Sequence, residues 1–295
     1  MKVSPSGALH APVVSREAHV RAWMSPDKKK KALLYISDYN NNALYVYSYP
    51  KLKPMGTVTS GLSNPDGICN DKKGNIWVDD NTSASMVQYA HGGTSPKATL
   101  SDPGTYPVGC SVDPATGNLA VSNIFQSSGG AGNVAVYAGA SGSPTYYSPS
   151  NLYFVYFVGY DNKGNLYADG ENESGQFELA ELTKGSSSFS PVSVTGGTIH
   201  FPGNIRWDGK YITVGDQEYN DEEASAVNQL SGGAIVGTTV MSGALDVVGY
   251  TISKKTLIGP DASAADVGFY KYPAGGSPKN TLTGFSAPYG SAISK

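Results

Sequence analysis

Short runs of alternating apolar and polar residues, separated by turns rich in Gly, Asn and Pro, cover most of the chain. The stretch LYISDYNNNALYVYSYP, residues 34–50, shows the pattern, because two alternating segments flank a run of asparagines. Successive side chains of a β-strand point to opposite faces of its sheet, so each alternating segment predicts a strand and the asparagines predict a hairpin turn. No comparable helical pattern stands out, and the sequence predicts an all-β fold.

The hairpin pattern recurs along the chain. PDGICNDKKGNIWVDDN from Pro65, PVGCSVDPATGNLAVSN from Pro107 and FVGYDNKGNLYADG from Phe157 align on a glycine. Degenerate copies follow from Phe201 and Val247, and APYGSAISK ends the chain. Repeats of this length are typical of four-stranded propeller blades. The aligned glycines lie 41 to 50 residues apart, at Gly67, Gly109, Gly159, Gly203, Gly249 and Gly290.

Counting the strands predicts how the ring closes. Second, third and fourth strands occur in six sets, but there are seven candidates for a first strand. One chain end therefore completes a blade that the other end begins, which leaves no sheet edge open. We predict a six-bladed β-propeller of four-stranded antiparallel blades, closed between the termini. It forms one domain over residues 19–295, after an N-terminal extension over residues 1–18. The innermost closing strand lies near Trp23 or near Ser291, and the pattern leaves both open.

Composition and charge limit the classes of partner and the location that we expect for this protein. With 36 glycines, 20 tyrosines and 15% charged residues, the chain has an uncharged polar character that we associate with exported proteins. We expect an extracellular or periplasmic location, with the leader absent from this sequence. The net charge of -3 provides no overall basic field, and no apolar run reaches 18 residues. We therefore expect a monomer that binds a small-molecule or carbohydrate ligand, with neither nucleic acid nor a membrane as partner.

The pattern P-x-G-I-x-x-D-x-x-G-N-I-W-V-x-D, from Pro65 to Asp80, resembles the NHL-repeat and SMP-30/gluconolactonase-like group of six-bladed propellers. That resemblance implies a ligand face, where the second strand of each blade ends and the first begins. It also implies a divalent metal in the central channel, held by the residues before the repeat glycines: Asp66, Val108, Val158, Pro202, Val248 and Tyr289.

Most of that metal site is missing from the sequence. Asp66 is the one hard oxygen ligand among the six positions, whereas Ca²⁺ takes six to eight oxygens. Asn204 and Asp246 could supply oxygens by another route. The sequence therefore leaves two alternatives open: no cofactor, or Ca²⁺ or another divalent ion in the channel with Asp66, Asn204 and Asp246 as its ligands.

Aromatic residues cluster in the segments that enter each blade on the ligand face. Tyrosine combines an apolar ring with a polar tip, so an aromatic mouth would suit a sugar, an aromatic compound or an ester. The alternative is that these rings pack between the blades. The candidate ligand-binding residues are Tyr106, Tyr156, Phe157, Phe201 and Tyr289.

Acidic residues form two sets. Asp38, Asp80, Asn123, Asp169, Asp216 and Asp261 end the second strands, where we expect them to bond backbone N–H groups of turns. The loops DGENESG and GDQEYNDEE break this pattern, and their carboxylates would concentrate negative charge between blades four and five. His200 precedes blade five. The candidate acid–base residues are His200, Glu171, Glu218 and Asp216, and the alternatives are solvated acids and a hydrogen-bonding histidine.

Two further features complete the predictions. Cys69 lies one place later in its repeat than Cys110, and because strand side chains alternate, we predict that both are free thiols. The loop NIFQSSGGAGN, residues 123–133, is predicted to act as a lid. We favour a hydrolase of the lactonase or arylesterase type at the channel mouth. A non-catalytic carbohydrate- or partner-binding propeller is the alternative, and a metal-independent lyase or strictosidine-synthase-like enzyme is a further one.

Overall fold

The computed structural model describes residues 21–27, 32–222 and 224–295, so the predicted extension over residues 1–18 lies outside the described residues. Six antiparallel sheets of four strands are arranged as blades in a ring, and the first is widened by a short fifth strand. The predicted six-bladed β-propeller is confirmed. No helix among the described residues is long and apolar enough to cross a bilayer.

The strands follow the predicted repeat. Blades one and two contain β1 Trp23–Met24, β2 Ala32–Asp38, β3 Ala43–Tyr49, β4 Pro54–Val58, β5 Pro65–Asn70, β6 Ile76–Asp80, β7 Ser85–Tyr89 and β8 Ala98–Ser101. Blades three and four contain β9 Thr105–Val112, β10 Leu119–Gln126, β11 Ala131–Tyr137, β12 Thr145–Tyr147, β13 Phe154–Tyr160, β14 Leu166–Glu171, β15 Phe177–Leu182 and β16 Ser190–Val192. Blades five and six contain β17 Pro202–Trp207, β18 Ile212–Glu218, helix α1 Tyr219–Glu222, β19 Ala224–Ser231, β20 Ala234–Ser242, β21 Thr251–Ser253, β22 Thr256–Asp261, β23 Asp266–Lys271 and β24 Asn280–Thr283, and β25 Pro288–Ser294 returns to blade one.

The C-terminal strand β25 closes the ring. It pairs antiparallel with β2 and takes the innermost place of blade one, whereas β1 pairs with the outer strand β4. The Ser37 hydroxyl links the closure to blade two, because it accepts the Gly290 N–H at 2.8 Å and donates to the Asp66 carbonyl at 2.6 Å. Of the two closing candidates, the structure therefore selects the one near Ser291.

The turns between first and second strands explain the repeated D-x-x-G-N motif. Asp71 Oδ1 accepts the N–H groups of Lys73 at 2.8 Å and Asn75 at 2.9 Å, and Asp161 makes the equivalent bonds in blade four. A carboxylate that bonds its own turn fixes the reversal locally. The repeat motif is therefore turn architecture at the face opposite the ligand face, which we call the turn face.

The prediction of free thiols is wrong, because Cys69 and Cys110 form a disulfide that joins β5 to β9. Both residues are buried in the core between blades two and three. The one-place offset does put their side chains on opposite faces of equivalent strands. Consecutive blades, however, meet with opposite faces, so a side chain leaving the front of blade two approaches one leaving the back of blade three. The one-place offset, from which we predicted free thiols, is therefore the offset that lets the two sulfur atoms meet.

Candidate functional site

The innermost strands line a central channel, and one extra residue interrupts the register of five of them, β5, β9, β13, β17 and β25. The repeat glycines of blades two, three, six and one line the channel, but Phe157 replaces glycine in blade four and Asn204 replaces it in blade five. Bulges interrupt β13 between Val155 and Phe157 and β17 between Gly203 and Ile205. Val158 and Pro202 are buried and do not line the channel cavity, which corrects two of the six predicted channel positions.

Arg206 occupies the channel below this level. Its guanidinium donates to three backbone carbonyls of other blades, those of Ile68 at 2.8 Å, Cys110 at 3.1 Å and Tyr250 at 3.3 Å. Burial lowers the pKa of Arg206, but an arginine stays protonated in proteins. The side chain thus ties blade five to blades two, three and six and places a positive charge on the channel axis.

The channel residues do not fit a divalent metal. The cavity above Arg206 has a volume of about 10 Å³, enough for a single water molecule. Of the three predicted metal ligands, Asp66 and Asn204 line it, and Asp246 does not. Burial raises the pKa of Asp66 to about 8. One carboxyl and one amide beside a guanidinium lack the six to eight oxygens that Ca²⁺ takes. No cluster of three or more His, Cys, Asp or Glu residues suited to a metal occurs in the described part of the chain.

The predicted aromatic mouth divides into separate groups. Phe157 and Phe201 are each 4% exposed and belong to the interior. Tyr156 is partly exposed and contacts Phe201 edge-on, with 5.3 Å between ring centroids. Tyr106 packs against Phe125, and Tyr289 packs against Tyr39. The structure brings together Tyr156, Phe157 and Phe201. Tyr289 lines the channel cavity together with Phe157, whereas Tyr106 lies at blade three.

The acids that end the second strands cap backbone turns, as predicted from the repeat. Each bonds the segment that leads into an innermost strand, and the first strands are thereby anchored to the second. The backbone N–H donors are Ser286 and Ala287 for Asp38, Ser63 for Asp80, Phe157 for Asp169, Phe201 for Asp216 and Leu245 for Asp261. Asn123 differs, since its amide donates to the side chains of Asp102 and Asn133.

The loops that break the repeat bring their acids together. The Tyr156 hydroxyl donates to Glu171 Oε2 at 3.1 Å, across blade four. Burial raises the pKa of Glu171, and the charge of Glu218 on blade five adds to the rise. Burial also raises the pKa of Asp246 to about 6, with contributions from the charges of Asp261 and Glu218. Glu218 is therefore within electrostatic range of both Glu171 and Asp246, and we call Tyr156, Glu171, Glu218 and Asp246 the acidic sector.

His200 joins this sector through a capping acid. Its Nδ1 lies 3.1 Å from Asp216 Oδ2, while Asp216 Oδ1 accepts the backbone N–H of Phe201 and of Glu218, both at 3.2 Å. The imidazole side chain is 40% exposed, whereas Asp216 is buried. A fixed carboxylate that orients an accessible imidazole is the arrangement of a base and its orienting group. The four predicted acid–base residues thus lie on the same two neighbouring blades.

The predicted lid is a hairpin. Residues 123–126 continue β10, residues 131–133 begin β11, and the Gln126 and Gly129 N–H groups close the turn on the Gly130 and Gln126 carbonyls. Phe125, in this hairpin, is the ring that Tyr106 contacts at 4.5 Å. The segment is an ordered wall on the ligand face at blade three.

Two buried charged residues of the inner structure were not predicted. Asp79, on β6, is fully buried, and neither of its carboxylate oxygens has a hydrogen-bond partner in the described part of the chain. Arg206 is the one arginine after Arg21 in the sequence, and it stands between the apolar residues Ile205 and Trp207. A lone charge in an inner strand is the signal that could have identified Arg206 as a channel residue.

Comparison with known proteins identifies the fold and no family. No protein-family model matches the chain, and no curated protein matches it either. The chain is similar to a structure from a nidogen/laminin complex, with a TM-score of 0.72, 14% identity and coverage of 90% of this chain and 98% of that one. It is also similar to a protein of unknown function from Bacteroides caccae, with a TM-score of 0.66, 12% identity and coverage of 90% and 100%. A functionally unknown protein from Desulfotomaculum acetoxidans gives 0.60, 11%, 89% and 98%. At these identities the likeness concerns the six-bladed propeller alone.

Proposed function

We propose that the protein is a non-catalytic binding propeller whose acidic sector recognises a cationic group, an amine or a guanidinium, on a carbohydrate or protein partner. The observation that carries the proposal is the convergence of Glu171 and Glu218 near the partly exposed Tyr156, with Asp246 within electrostatic range of Glu218. Carboxylates attract a cation, and the face of an aromatic ring adds a cation–π contribution. This convergence does not depend on access to the central channel.

The closed channel supports binding over turnover at the mouth. A small-molecule site normally offers about 300–1,000 Å³. The channel cavity of about 10 Å³ holds no organic substrate, and Arg206 forms its floor. The Cys69–Cys110 disulfide supports an extracellular or periplasmic location, because disulfides persist in oxidising compartments. Kinship with the NHL and SMP-30-like propellers is supported by the repeat motif alone, and a monomer remains our proposal for the assembly.

The second candidate is the ester or lactone hydrolase. The specific observation in its favour is the accessible imidazole of His200, held at 3.1 Å by the buried Asp216. Such a pair could activate a water molecule as general base toward an ester bound on the surface of the acidic sector. The lyase alternative has no observation of its own.

One experiment separates the two. Titration calorimetry with spermidine and with a chitosan oligosaccharide measures cation recognition, and an aryl-ester and lactone panel measures turnover on the same preparations. We expect both cations to bind the wild type, at least about tenfold weaker binding for Glu171→Gln/Glu218→Gln, and no turnover. The control for net charge is Glu181→Gln, which removes one carboxylate of blade four near the turn face and is compared with Glu171→Gln alone.

The outcomes are distinct. Equal binding by the double variant and the wild type overturns the proposed acidic site. Hydrolysis that disappears in His200→Gln establishes the second candidate, whatever the cations do. Binding that weakens equally in Glu181→Gln indicates a response to net charge and contradicts the proposal.

A further inference from the structure

The two faces of the propeller carry opposite charges. Every lysine from Lys51 to Lys295 lies in a turn between first and second or third and fourth strands, or at the end of a strand that reaches that side. These positions make up the turn face. From Ala32 onwards, no connection of the ligand face contains a lysine or an arginine. The net charge of -3 is therefore the sum of a basic face and an acidic face, and each face has its own electrostatic field.

A groove opens within the basic face. It has a volume of about 370 Å³, within the range of ligand sites in proteins. The first turns of blades two and six form its sides, and the end of β25 lies between them. It is thus on the opposite side of the ring from the acidic sector, and it does not involve the residues of the proposed cation site.

The groove is positively charged. The exposed side chains of Lys72, in the turn between β5 and β6, Lys254, in the turn between β21 and β22, and Lys295, after β25, line it. Asp71 is the one acidic residue among its lining residues, and its carboxylate accepts the N–H groups of Lys73 and Asn75 and the side-chain amide of Asn75. Asp71 keeps its negative charge, but Lys72 and Lys254 outnumber it, so the lining side chains are net positive.

We propose that this groove binds an acidic sugar unit of an anionic polysaccharide, with its carboxylate or sulfate held between Lys72 and Lys254. Asn70, Thr251 and Ser253 also line the groove, and their amide and hydroxyl groups suit sugar hydroxyls. Lysine ammonium groups pair with carboxylates and sulfates as point charges.

The lining favours a sugar over other polyanions. None of the lining residues is aromatic or an arginine, whereas single-stranded nucleic acids are held by stacking on aromatic rings and by arginine. Basic side chains on a flat face are sufficient to bind an anionic membrane, so membrane binding would not require a groove with hydrogen-bonding walls. The groove therefore combines charge with concavity and polar walls, as a saccharide site does.

The test uses the full chain at about 0.15 M salt, where exposed charges more than a Debye length apart are largely screened. Titration calorimetry measures binding of an oligogalacturonate and of a sulfated dextran oligosaccharide, with neutral dextran, oligo(dT) and phosphatidylserine vesicles as comparators. The test variant is Lys72→Ala/Lys254→Ala. The matched control is Lys163→Ala/Lys184→Ala, which removes the same charge from exposed positions of the same face at blade four, outside the groove.

We expect at least one acidic saccharide to bind, about tenfold weaker binding by the groove variant, and less than about twofold change in the control. Equal weakening by both variants would mean a diffuse basic field without a site and would overturn the proposal. Tighter binding of oligo(dT) or vesicles than of either saccharide, or no saccharide binding at all, would overturn it too. The melting temperature of each variant is recorded, so that a loss of fold is recognised, and Lys72→Gln/Lys254→Gln then repeats the comparison.

Discussion

Asp79 occupies the place that serine holds in blades one and three. Ser37 and Ser122 precede the acid or amide that ends β2 and β10, and their hydroxyls donate to the next blade's carbonyls, Asp66 O at 2.6 Å and Tyr156 O at 2.8 Å. Asp79 faces the equivalent carbonyl, because a Cβ placed on Gly67 would lie 2.3 Å from Asp79 Oδ2 and 2.6 Å from Val108 O. A carboxylic acid can donate there, and a carboxylate cannot.

The protonation of Asp79 should therefore make stability depend on pH. Burial raises the pKa of Asp79 well above its usual range, against the opposing charge of Arg206. Because the folded pKa exceeds the unfolded value of about 4, the contribution of Asp79 to stability is complete below that pH and is lost as pH rises toward the folded pKa. Asp79→Asn keeps a donor without this titration. We expect the free energy of unfolding of the wild type, relative to Asp79→Asn, to fall as pH rises above about 5 and to level off once pH passes the folded pKa of Asp79.

Denaturant unfolding of both proteins at several pH values measures this difference. Glu173→Gln is the control, because Glu173 is exposed in a loop of the ligand face. A constant difference between wild type and Asp79→Asn across the pH range would show that Asp79 is already charged in the folded protein.

At this scale, sequence predicts local bonds and misses distant ones. The capping roles of Asp38, Asp80 and Asp216 could be inferred, because an aspartate beside a turn bonds the nearby backbone. Arg206 could not be placed by the same reasoning, since its partners Ile68 and Cys110 precede it by 138 and 96 residues. The acidic sector is an intermediate case. The sequence predicts its two acidic loops, but it does not predict the hydrogen bond from Tyr156 to Glu171.

At the level of elements, the repeat predicts the strands, but bulges and the facing of blades decide which side chains meet. Several inner strands hold an extra residue opposite their partner strand, but its place relative to the repeat glycine varies: directly before Gly109 in β9, three places before Gly159 in β13 and directly after Gly203 in β17. Phe157 and Asn204 line the channel where that place differs. A bulge changes every alignment made on a sequence motif beyond it. The disulfide between β5 and β9 could not be predicted for a related reason. Strand alternation can be inferred from the sequence, but which faces of adjacent blades meet cannot.

The disulfide should stabilise the junction of blades two and three. Cys69 and Cys110 are 41 residues apart, and cross-links across loops of this length typically contribute about 2–4 kcal/mol. We expect reductant to lower the free energy of unfolding of the wild type by that amount and to leave Cys69→Ala/Cys110→Ala unchanged. Thiol titration of the unfolded, unreduced protein should find no free sulfhydryl. Two reactive thiols, or a reductant effect of equal size in the double variant, would contradict the disulfide.

At the level of the whole molecule, the ring is one unit because its two ends share blade one. β25 pairs with β2 on one side, and its Gly290 lies against Ile68 and the Asp66 carbonyl of blade two on the other. The Ser294 hydroxyl bonds the Gly74 carbonyl and contacts His91 Nδ1, so the strand is held at both ends. Its removal would open an edge on β2 and uncover Leu33 and Tyr35, which are fully buried.

Deletion of residues 288–295 tests this closure. Because an unpaired inner edge and an uncovered core both favour partial unfolding and association, we expect the shortened chain to lose its cooperative thermal transition or to melt at a much lower temperature. A synthetic peptide of residues 288–295 should restore the transition by pairing with β2, as added strands do at other open sheet edges. A peptide with the same composition in scrambled order is the control. If the shortened chain melts like the full one, another segment fills the innermost place, and the stretch near Trp23 is the first candidate for it.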